Sequence, residues 1–356
     1  MRRLIAPAAD APFERGPVPS FSIVIPAYQA AESIADTVAS ALGQTLRPYE
    51  VIVCDDGSTD DLDSVLAPYR EQIVLLRRPH RGAGPARNAA LRVASGDFVV
   101  MLDADDVYEP DRLSALAELA AARPDLDILG TDAYFEVETG LNGRFYEFTE
   151  FEVEEQRLGI MERCFVAWPA LRRARVLEIG GFDESPEIAP AEDWDLFIRL
   201  ILGGSRVGLV DEPLMRYRKH PASMTANRSR ALRSRVAVLE KTRLHPGLTI
   251  EERRYLDQCL ARARSRSVLV DAKGFAAAHR QGGRRRLLAL AARSEVPTTT
   301  RLTLAVAAFV PPAAIRILGW TERRTARSRP RRAVSSLLVT GIRRADARAA
   351  RRREPQ

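Results

Sequence analysis

Three groups of acidic side chains are the residues of this chain best suited to chemistry. In chain order they are Asp55-Asp56, Asp103-Ala104-Asp105-Asp106 and Glu192-Asp193. The first two follow apolar runs typical of buried strands, and the third begins a helical pattern. Carboxylates at the carboxyl ends of parallel strands face the crevice in which open α/β sheets bind ligands. Because carboxylates hold divalent metals that in turn hold diphosphates, and also accept protons, the three groups suggest transfer of a group from a nucleotide diphosphate.

Each acidic group also has an ordinary structural interpretation. Asp is favoured in turns and near helix N-termini, so residues 103–106 could be a solvated turn and Glu192-Asp193 could complement a helix dipole. We favour a functional role for residues 103–106, because a five-residue apolar run precedes them and the other two groups accompany them. Asp55 ends its strand and is a candidate for hydrogen bonds to a base or a ribose. The pattern around Asp193 leaves both a general base and a structural role open.

Two basic segments could meet an anion. Residues 81–88 form a Gly-bearing loop that enters a helix, where backbone N–H groups can face a phosphate, although no Gly-Lys-Ser/Thr follows as in a P-loop. Residues 216–220 follow a strand pattern and end at His220. A plain junction between loop and helix is the alternative for the first segment, and a solvated basic edge is the alternative for the second.

The elements that would position these residues alternate between strands and helices. The patterns predict strands at 21–26, 49–54, 73–76, 97–102 and 127–130, and helices at 33–42, 60–69, 84–94 and 112–122. This alternation predicts an α/β fold with a mostly parallel sheet flanked by helices. Residues 133–151 resemble antiparallel strands, 193–202 a helix, and 207–210 and 214–218 short strands. From residue 225 onward the chain is rich in Ala, Leu and Arg and is predicted to be helical.

The charge is divided unevenly along the 356 residues. The net charge is +7, yet 31 of the 54 Lys and Arg and only 9 of the 47 Asp and Glu lie from residue 225 onward. We therefore expect a loose N-terminal arm at 1–20, a catalytic domain at 21–225 and a basic helical C-terminal region at 226–356. The three scattered cysteines and the lack of an apolar signal-peptide stretch predict a cytoplasmic protein.

The C-terminal region carries an apolar stretch at 302–320. It is interrupted by Pro311-Pro312, contains Arg316 and is short against the ~20 residues of a membrane span. Runs of arginine flank the stretch, which favours peripheral attachment to the anionic inner face of the plasma membrane. A basic, partly disordered helical tail is the alternative.

Taken in order, these segments resemble the family-2 glycosyltransferases, which have the GT-A fold. The resemblance covers about residues 21–225 and rests on several separate motifs: Ser22-Ile23-Val24-Ile25-Pro26-Ala27-Tyr28, Val51 to Asp60, Gly84-Pro85-Ala86-Arg87-Asn88, Leu102-Asp103-Ala104-Asp105-Asp106, Ala191-Glu192-Asp193-Trp194-Asp195-Leu196 and Tyr217-Arg218-Lys219-His220. Gln29 stands where the family more often has Asn.

The resemblance implies an inverting, metal-dependent transfer from a nucleotide-diphosphate sugar. Asp193 would be the general base and Asp105 would bind Mn²⁺ or Mg²⁺. The remaining implied nucleotide and sugar contacts are Pro26, Ala27, Tyr28, Asp55, Arg87 and Asp103. Further candidates are Glu192, Asp106 and His220, the last near the diphosphate or metal.

The identity of the substrates is less constrained by the sequence. We expect a UDP-sugar as donor, with guanosine and thymidine diphosphate donors open, and a glycan or a lipid-linked molecule as acceptor. Trp168 is a candidate for stacking on a sugar, and a buried structural Trp is the alternative. Two other functions remain open: nucleotidyltransfer, although residues 26–29 are not a Gly/Arg/Lys-rich nucleotide loop, and nonspecific nucleic-acid binding through the Arg-rich tail.

Overall fold

The computed structural model describes residues 2–9, 14, 16–137, 140–218, 227–277, 283–294, 296–309, 318, 320–322 and 324. Contacts divide the chain into two units, Met1–Gly247 and Leu248–Gln356. The predicted boundary between residues 225 and 226 stays a prediction, and the contacts assign the helix that follows it to the first unit.

Ten strands in the described part of the first unit form one sheet. They are β1 (Leu4–Ile5), β2 (Phe21–Ala27), β3 (Glu50–Asp55), β4 (Val74–Arg77), β5 (Phe98–Met101), β6 (Val107–Tyr108), β7 (Ile128–Val137), β8 (Gly140–Arg144), β9 (Ala170–Arg172) and β10 (Val207–Arg218). The main order is β1-β10-β7-β9-β5-β2-β3-β4, with β6 paired to β10 and β8 paired to β7.

Helices connect and flank these strands. They are α1 (Ile34–Leu42), α2 (Leu62–Leu66), α3 (Ala83–Val93), α4 (Arg112–Ala122), α5 (Phe145–Phe148), α6 (Gln156–Glu162), α7 (Arg173–Glu178), α8 (Glu192–Leu202) and α9 (Arg228–Thr242). A 3-10 turn at Ala67–Tyr69 follows α2. The arrangement confirms the predicted α/β class.

The sheet is parallel where the sequence alternates strand and helix. β5, β2, β3 and β4 are parallel neighbours, and their side chains form the centre of the core. β9 then lies antiparallel between β5 and β7, which makes the whole sheet mixed. β9 has only three residues, too few for a periodic pattern to reveal it.

Two segments differ from the sequence expectation. Part of the N-terminal arm, expected to be loose, is ordered by β1, which pairs antiparallel with Leu209 and Val210 of β10. Arg2 adds an ion pair to Glu212 at 2.9 Å. The two short strands predicted at 207–210 and 214–218 are one strand, β10, with register shifts around Pro213, because proline cannot donate to a regular ladder.

The described part of the second unit is helical, as predicted. It contains α10 (Ile250–Ala277), α11 (Gly283–Ala291) and α12 (Thr298–Phe309). A small core of buried side chains, including Leu269 and Leu304, joins these helices. Among the residues that the structure describes, no helix is both long enough and apolar enough to cross a membrane.

Candidate active site

The carboxyl ends of β2 and β3 lie side by side. Ala27 at the end of β2 is in register with Asp55 at the end of β3, because the two strands are parallel and adjacent. The Asp55 carboxylate accepts a hydrogen bond from the Ser58 backbone N–H at 2.8 Å, which closes the turn after the strand. Pro26 is partly exposed, whereas Ala27 is buried. Tyr28 follows with 47% of its surface exposed, so an aromatic face and a carboxylate stand together at this edge.

Tyr28 has an aromatic partner that the sequence reasoning missed. The His80 ring stacks on it with ring centroids 3.9 Å apart and an angle of 24° between the ring planes. His80 lies in the loop after β4, and its Nδ1 is 2.9 Å from an Asp56 carboxylate oxygen. The only local signal was an isolated histidine between Pro79 and Arg81, which gives no hint of a partner in a distant loop.

Asp56 is an anchor of this loop. Its side chain is buried and accepts hydrogen bonds from the backbone N–H groups of Arg81 at 3.0 Å and Gly82 at 2.6 Å. Arg78 adds an ion pair at 3.3 Å. Asp56 therefore holds the loop that enters α3 against the end of β3, while Asp55 remains partly exposed.

The acidic loop (residues 103–106) follows β5, and its residues alternate between partly exposed and buried. Asp103 and Asp105 are partly exposed, whereas Ala104 and Asp106 are buried. One oxygen of Asp106 accepts a hydrogen bond from the Arg218 backbone N–H at 3.0 Å, and this ties the loop to the end of β10. Burial, with the neighbouring charges of Asp103 and Asp105, raises the pKa of Asp106 well above its usual value.

Arg87 joins the acidic loop to the third acidic group. It projects from α3, is 7% exposed, and donates to Asp103 at 2.7 Å and to Glu192 at 2.8 Å. Burial acts to lower the pKa of Arg87, but the carboxylates of Asp103, Glu192 and Asp193 raise it, so the guanidinium stays charged. The acidic loop and the Glu192-Asp193 group are thus linked through one cation.

Asp193 occupies the first turn of α8. Its side chain reaches solvent although protein lies densely around it, and one carboxylate oxygen accepts from the Trp194 backbone N–H at 2.6 Å. The surrounding protein and the adjacent Glu192 carboxylate raise the pKa of Asp193 to about 6, and the charge of Arg87 opposes this rise. A carboxylate with a pKa near neutrality is suited to take up a proton during a reaction.

The helix that carries Asp193 is held by buried contacts. The Trp194 indole N–H donates to the Ile160 carbonyl at 2.7 Å, and the Arg235 guanidinium lies 4.2 Å from the centre of the Trp194 ring. Asp195 is buried and pairs with Lys241 of α9 at 2.8 Å. Contacts from α9 therefore fix α8, a role for residues beyond 225 that the sequence reasoning missed.

A second connection fixes the helix that carries Arg87. The Asn88 side chain donates to the Phe182 carbonyl at 2.9 Å and accepts from the Phe182 N–H at 2.8 Å. The preceding Gly181 has a φ of +75°, and a Cβ atom there would lie 2.5 Å from the Asn88 Oδ1 atom. The Gly180-Gly181 pair follows α7 closely, and nothing local in the sequence reveals its contact with α3.

The donor atoms of the acidic loop fit a hard divalent cation only if further ligands complete its shell. Among the described residues, no cluster of three or more His, Cys, Asp or Glu side chains has the spacing of a metal site. Asp103 and Asp105 are nevertheless partly open carboxylates on one short loop. Mg²⁺ commonly takes one or two protein carboxylates and fills the rest of its shell with phosphate oxygens and water.

Of the two remaining candidates, Trp168 lies within the described residues and His220 does not. Trp168 lies just before β9, is partly buried, and contacts Tyr217 with ring centroids 4.8 Å apart. His220, with the neighbouring Lys219, lies outside the described residues.

Known proteins resemble this chain in sequence and in fold. Residues 22–179 match the family described as "Glycosyl transferase family 2". A chondroitin synthase of Escherichia coli is 33% identical over 189 residues, covering 51% of this chain and 26% of that protein. The E. coli enzyme UDP-Glc:alpha-D-GlcNAc-diphosphoundecaprenol beta-1,3-glucosyltransferase WfaP is 27% identical over 213 residues, covering 59% of this chain and 82% of that protein.

A solved structure of S. aureus TarS, residues 1–349 in complex with UDP-GlcNAc, superposes with a TM-score of 0.61. It is 20% identical and covers 87% of this chain and 92% of that one. This likeness confirms the predicted GT-A fold. The chain spans between a fifth and about a quarter of the length of the first curated relatives that it matches. The family match, the ordered motifs and the fold agree in indicating a family-2 glycosyltransferase domain that includes residues 22–179.

Proposed function

We propose that this protein transfers a sugar from a UDP-sugar to a hydroxyl group of an acceptor, with inversion at the anomeric carbon and with Asp193 as the general base. The observation that carries the proposal is the link through Arg87, which pairs with Asp103 and Glu192 beside Asp193. This link supports the proposal because it connects the carboxylate proposed for the donor side to the surroundings of the proposed proton acceptor, as a single displacement would require.

The edge formed by β2 and β3 would bind the nucleotide. Tyr28 and His80 offer aromatic faces to the base, and Asp55 offers a carboxylate that can accept from a base N–H or a ribose hydroxyl. Pro26 and Ala27 line the strand end beside them. A UDP-sugar is our choice of donor because the TarS structure contains UDP-GlcNAc and WfaP is named for UDP-Glc.

The acidic loop would hold Mn²⁺ or Mg²⁺ through Asp105, with Asp103 near the ribose or the sugar. When bound, the metal would neutralise the charge that develops on the departing diphosphate. Arg87 keeps Asp103 in place by a charge-assisted hydrogen bond of 2.7 Å. Asp106 supports the loop from inside, through its bond to the backbone of Arg218.

Asp193 would remove the proton from the acceptor hydroxyl as that oxygen attacks the anomeric carbon from the face opposite the nucleotide. A pKa of about 6 leaves the group mostly ionised at neutral pH and still able to accept a proton. Glu192 is paired with Arg87 and is buried, so it would set the charge around Asp193 without taking the proton itself. No covalent intermediate is required.

The substitution Asp193→Asn tests this assignment. We expect the rate of sugar transfer to fall by about 10²–10⁴-fold, the usual contribution of a general base, while the affinity for UDP-sugar changes little. Transfer would be measured with radiolabelled donor and binding by calorimetry. Asp63→Asn, at a surface carboxylate that is 62% exposed, is the matched control. Near-normal turnover of the Asp193→Asn protein would remove Asp193 from the mechanism.

We also propose that the acceptor is a glycan or a lipid-linked saccharide used at the inner face of the plasma membrane. WfaP is named for a diphosphoundecaprenol-linked acceptor, and the C-terminal region of this chain has the charge to meet an anionic surface.

A further inference from the structure

We propose that Trp168 and Tyr217 form a platform on which a saccharide ring of the acceptor stacks. The inference rests on the proposed function and names the chemical class of the acceptor at that site. Saccharide rings have an apolar C–H face and a polar rim, which match an aromatic ring that carries one hydrogen-bonding group.

The platform stands beside the residues proposed for catalysis. Trp168 precedes Pro169, whose carbonyl accepts from the N–H of Met101 at the end of β5, directly before the acidic loop. Tyr217 precedes Arg218, whose backbone N–H donates to Asp106. The backbone segments that carry the two rings therefore adjoin β5 and the acidic loop, and in the strand order β9 and β10 lie on the side of β5 away from β2 and β3.

The segment before Trp168 also lies close to the proposed base. The Ile160 carbonyl accepts from the Trp194 indole, and Trp194 follows Asp193 directly. The surrounding protein and the Asp193 carboxylate both raise the pKa of Cys164. The chain thus runs from the surroundings of Asp193 to Trp168 within a few residues, as an acceptor subsite beside the base would require.

The backbone at Trp168 adopts a conformation that a bulky residue rarely takes. Its φ is +39°, in the left-handed region, where only Gln29 among the other described non-glycine residues is found. Such a conformation persists only when the surroundings hold it, and it is concentrated at functional sites. Here the fully buried Arg112 donates to the Trp168 carbonyl and to the Thr131 hydroxyl. A buried cation thus holds the carbonyl of this turn, and the indole that the turn carries contacts Tyr217.

The indole N–H of Trp168 is available for a ligand. In the described residues it donates to no protein acceptor, whereas the buried Trp194 satisfies its N–H on a carbonyl at 2.7 Å. Tryptophan that serves only the core normally finds such a partner. Trp168 packs against the core with part of its ring, and its polar atom remains free to meet a sugar hydroxyl.

Purely structural packing is the competing interpretation, because Phe145 also contacts Trp168, with ring centroids 5.5 Å apart. The two interpretations differ in which kinetic quantity changes. Loss of packing would disturb donor turnover and acceptor use together. Loss of a platform would raise only the KM for a saccharide acceptor.

The test compares Trp168→Leu, Trp168→Phe and Tyr217→Leu in the full chain. UDP-glucose and UDP-GlcNAc serve as donors, methyl β-glucoside and methyl β-N-acetylglucosaminide as saccharide probes, and glycerol as an open-chain control. Donor hydrolysis by water, without acceptor, reports folding and donor binding. Tyr49→Leu, at an aromatic residue that is 64% exposed beside the opposite end of β3, is the matched control.

For both leucine variants we expect the KM for the saccharide probes to rise about tenfold or more, with hydrolysis and donor KM within about twofold of the parent. Trp168→Phe should have a smaller effect, because it keeps a ring and loses the N–H. The KM for glycerol as acceptor should differ little between the parent and the variants.

Several results would overturn the inference. The first is an unchanged KM for the saccharide probes in both leucine variants, and the second is an equal loss of donor hydrolysis and sugar transfer. The third is a parent protein that hydrolyses the donor but neither does so faster with a saccharide probe nor transfers the sugar to it. A parent protein that neither hydrolyses nor transfers any donor would instead overturn the proposed function, and the inference with it.

Discussion

At the scale of single residues, Arg87 connects two of the acidic groups. Its guanidinium is buried between Asp103 and Glu192, two residues that lie far apart in the sequence. A buried cation with two carboxylate partners fixes both of them, and its charge limits how far the pKa of Asp193 can rise. The same residue therefore positions the carboxylate that we propose for the donor side and adjusts the acidity of the proposed base.

The raised pKa of Asp193 predicts the pH dependence of transfer. A general base works as the carboxylate, so kcat/KM should fall below about pH 6 by about tenfold per pH unit and level off above pH 7. Initial rates at saturating metal between pH 5 and 8 would measure this limb. The residual activity of the Asp193→Asn protein should not show this fall in kcat/KM below pH 6. A flat profile through pH 6 in the parent would contradict the assignment.

We expect the affinity for the donor to depend on the metal through Asp105. Asp105→Ala should weaken Mn²⁺-dependent binding of UDP-sugar by about 10–100-fold, because a hard carboxylate ligand is lost. Calorimetric titration with Mn²⁺ and with EDTA would separate the metal-dependent part of the affinity. Asp63→Ala is the control. Equal donor affinity with and without metal in the parent protein would exclude this role.

At the scale of elements, the active site depends on how α3 begins. Its entry loop is held by Asp56, and its second turn is held by Asn88 on the Phe182 backbone. Arg87 lies between these two attachments. The helix is therefore positioned by two segments distant in sequence, the end of β3 and the turn after α7.

Gly180 and Gly181 offer a matched test of the second attachment. Both have a positive φ, so alanine at either should cost about 1–2 kcal/mol. A Cβ at Gly181 would also meet Asn88 Oδ1 at 2.5 Å, whereas nothing lies within 4 Å at Gly180. We expect Gly181→Ala to lower the free energy of unfolding by about 1–3 kcal/mol more than Gly180→Ala and to weaken donor binding.

Urea denaturation and donor titration of the two alanine variants would measure both effects. If Gly180→Ala and Gly181→Ala were equally stable and bound donor equally well, the contact between Asn88 and this turn would not position α3.

At the scale of the whole molecule, the strand order separates the tasks. β3 and β2 carry the residues proposed for the nucleotide, β5 the acidic loop, and β9 and β10 the aromatic platform. The residues proposed for donor, metal and acceptor thus all belong to strands of a single sheet or to the segments beside them.

The charge of the C-terminal region predicts binding to anionic membranes. Full-length protein should sediment with vesicles that contain phosphatidylglycerol at low salt and be released at high salt, because screening weakens the attraction. A chain that ends at Gly247, the last residue of the first unit, should stay in solution. Neutral vesicles are the control. Equal partitioning of the two chains would end the proposal of peripheral attachment.

Much of the fold and part of the site followed from the sequence alone. Short apolar runs alternating with amphipathic helices predicted the parallel strands from β2 to β5, because period and length are local properties. The carboxyl ends of parallel strands share one edge of a sheet, so Asp55 and the acidic loop, which follow β3 and β5, were expected to face the same crevice. The helical pattern after residue 192 likewise placed Asp193 in a first turn.

The tertiary structure decided which distant side chains meet. Arg87 reaches Glu192 across 105 residues, Lys241 reaches Asp195 across 46, and His80 stacks on Tyr28 from another loop. The antiparallel insertion of β9 and the left-handed turn at Trp168 also depend on contacts with other strands and with the buried Arg112. Local patterns determine where a chain can form a strand or helix, whereas the pairing of charges and rings is set by packing between segments remote in sequence.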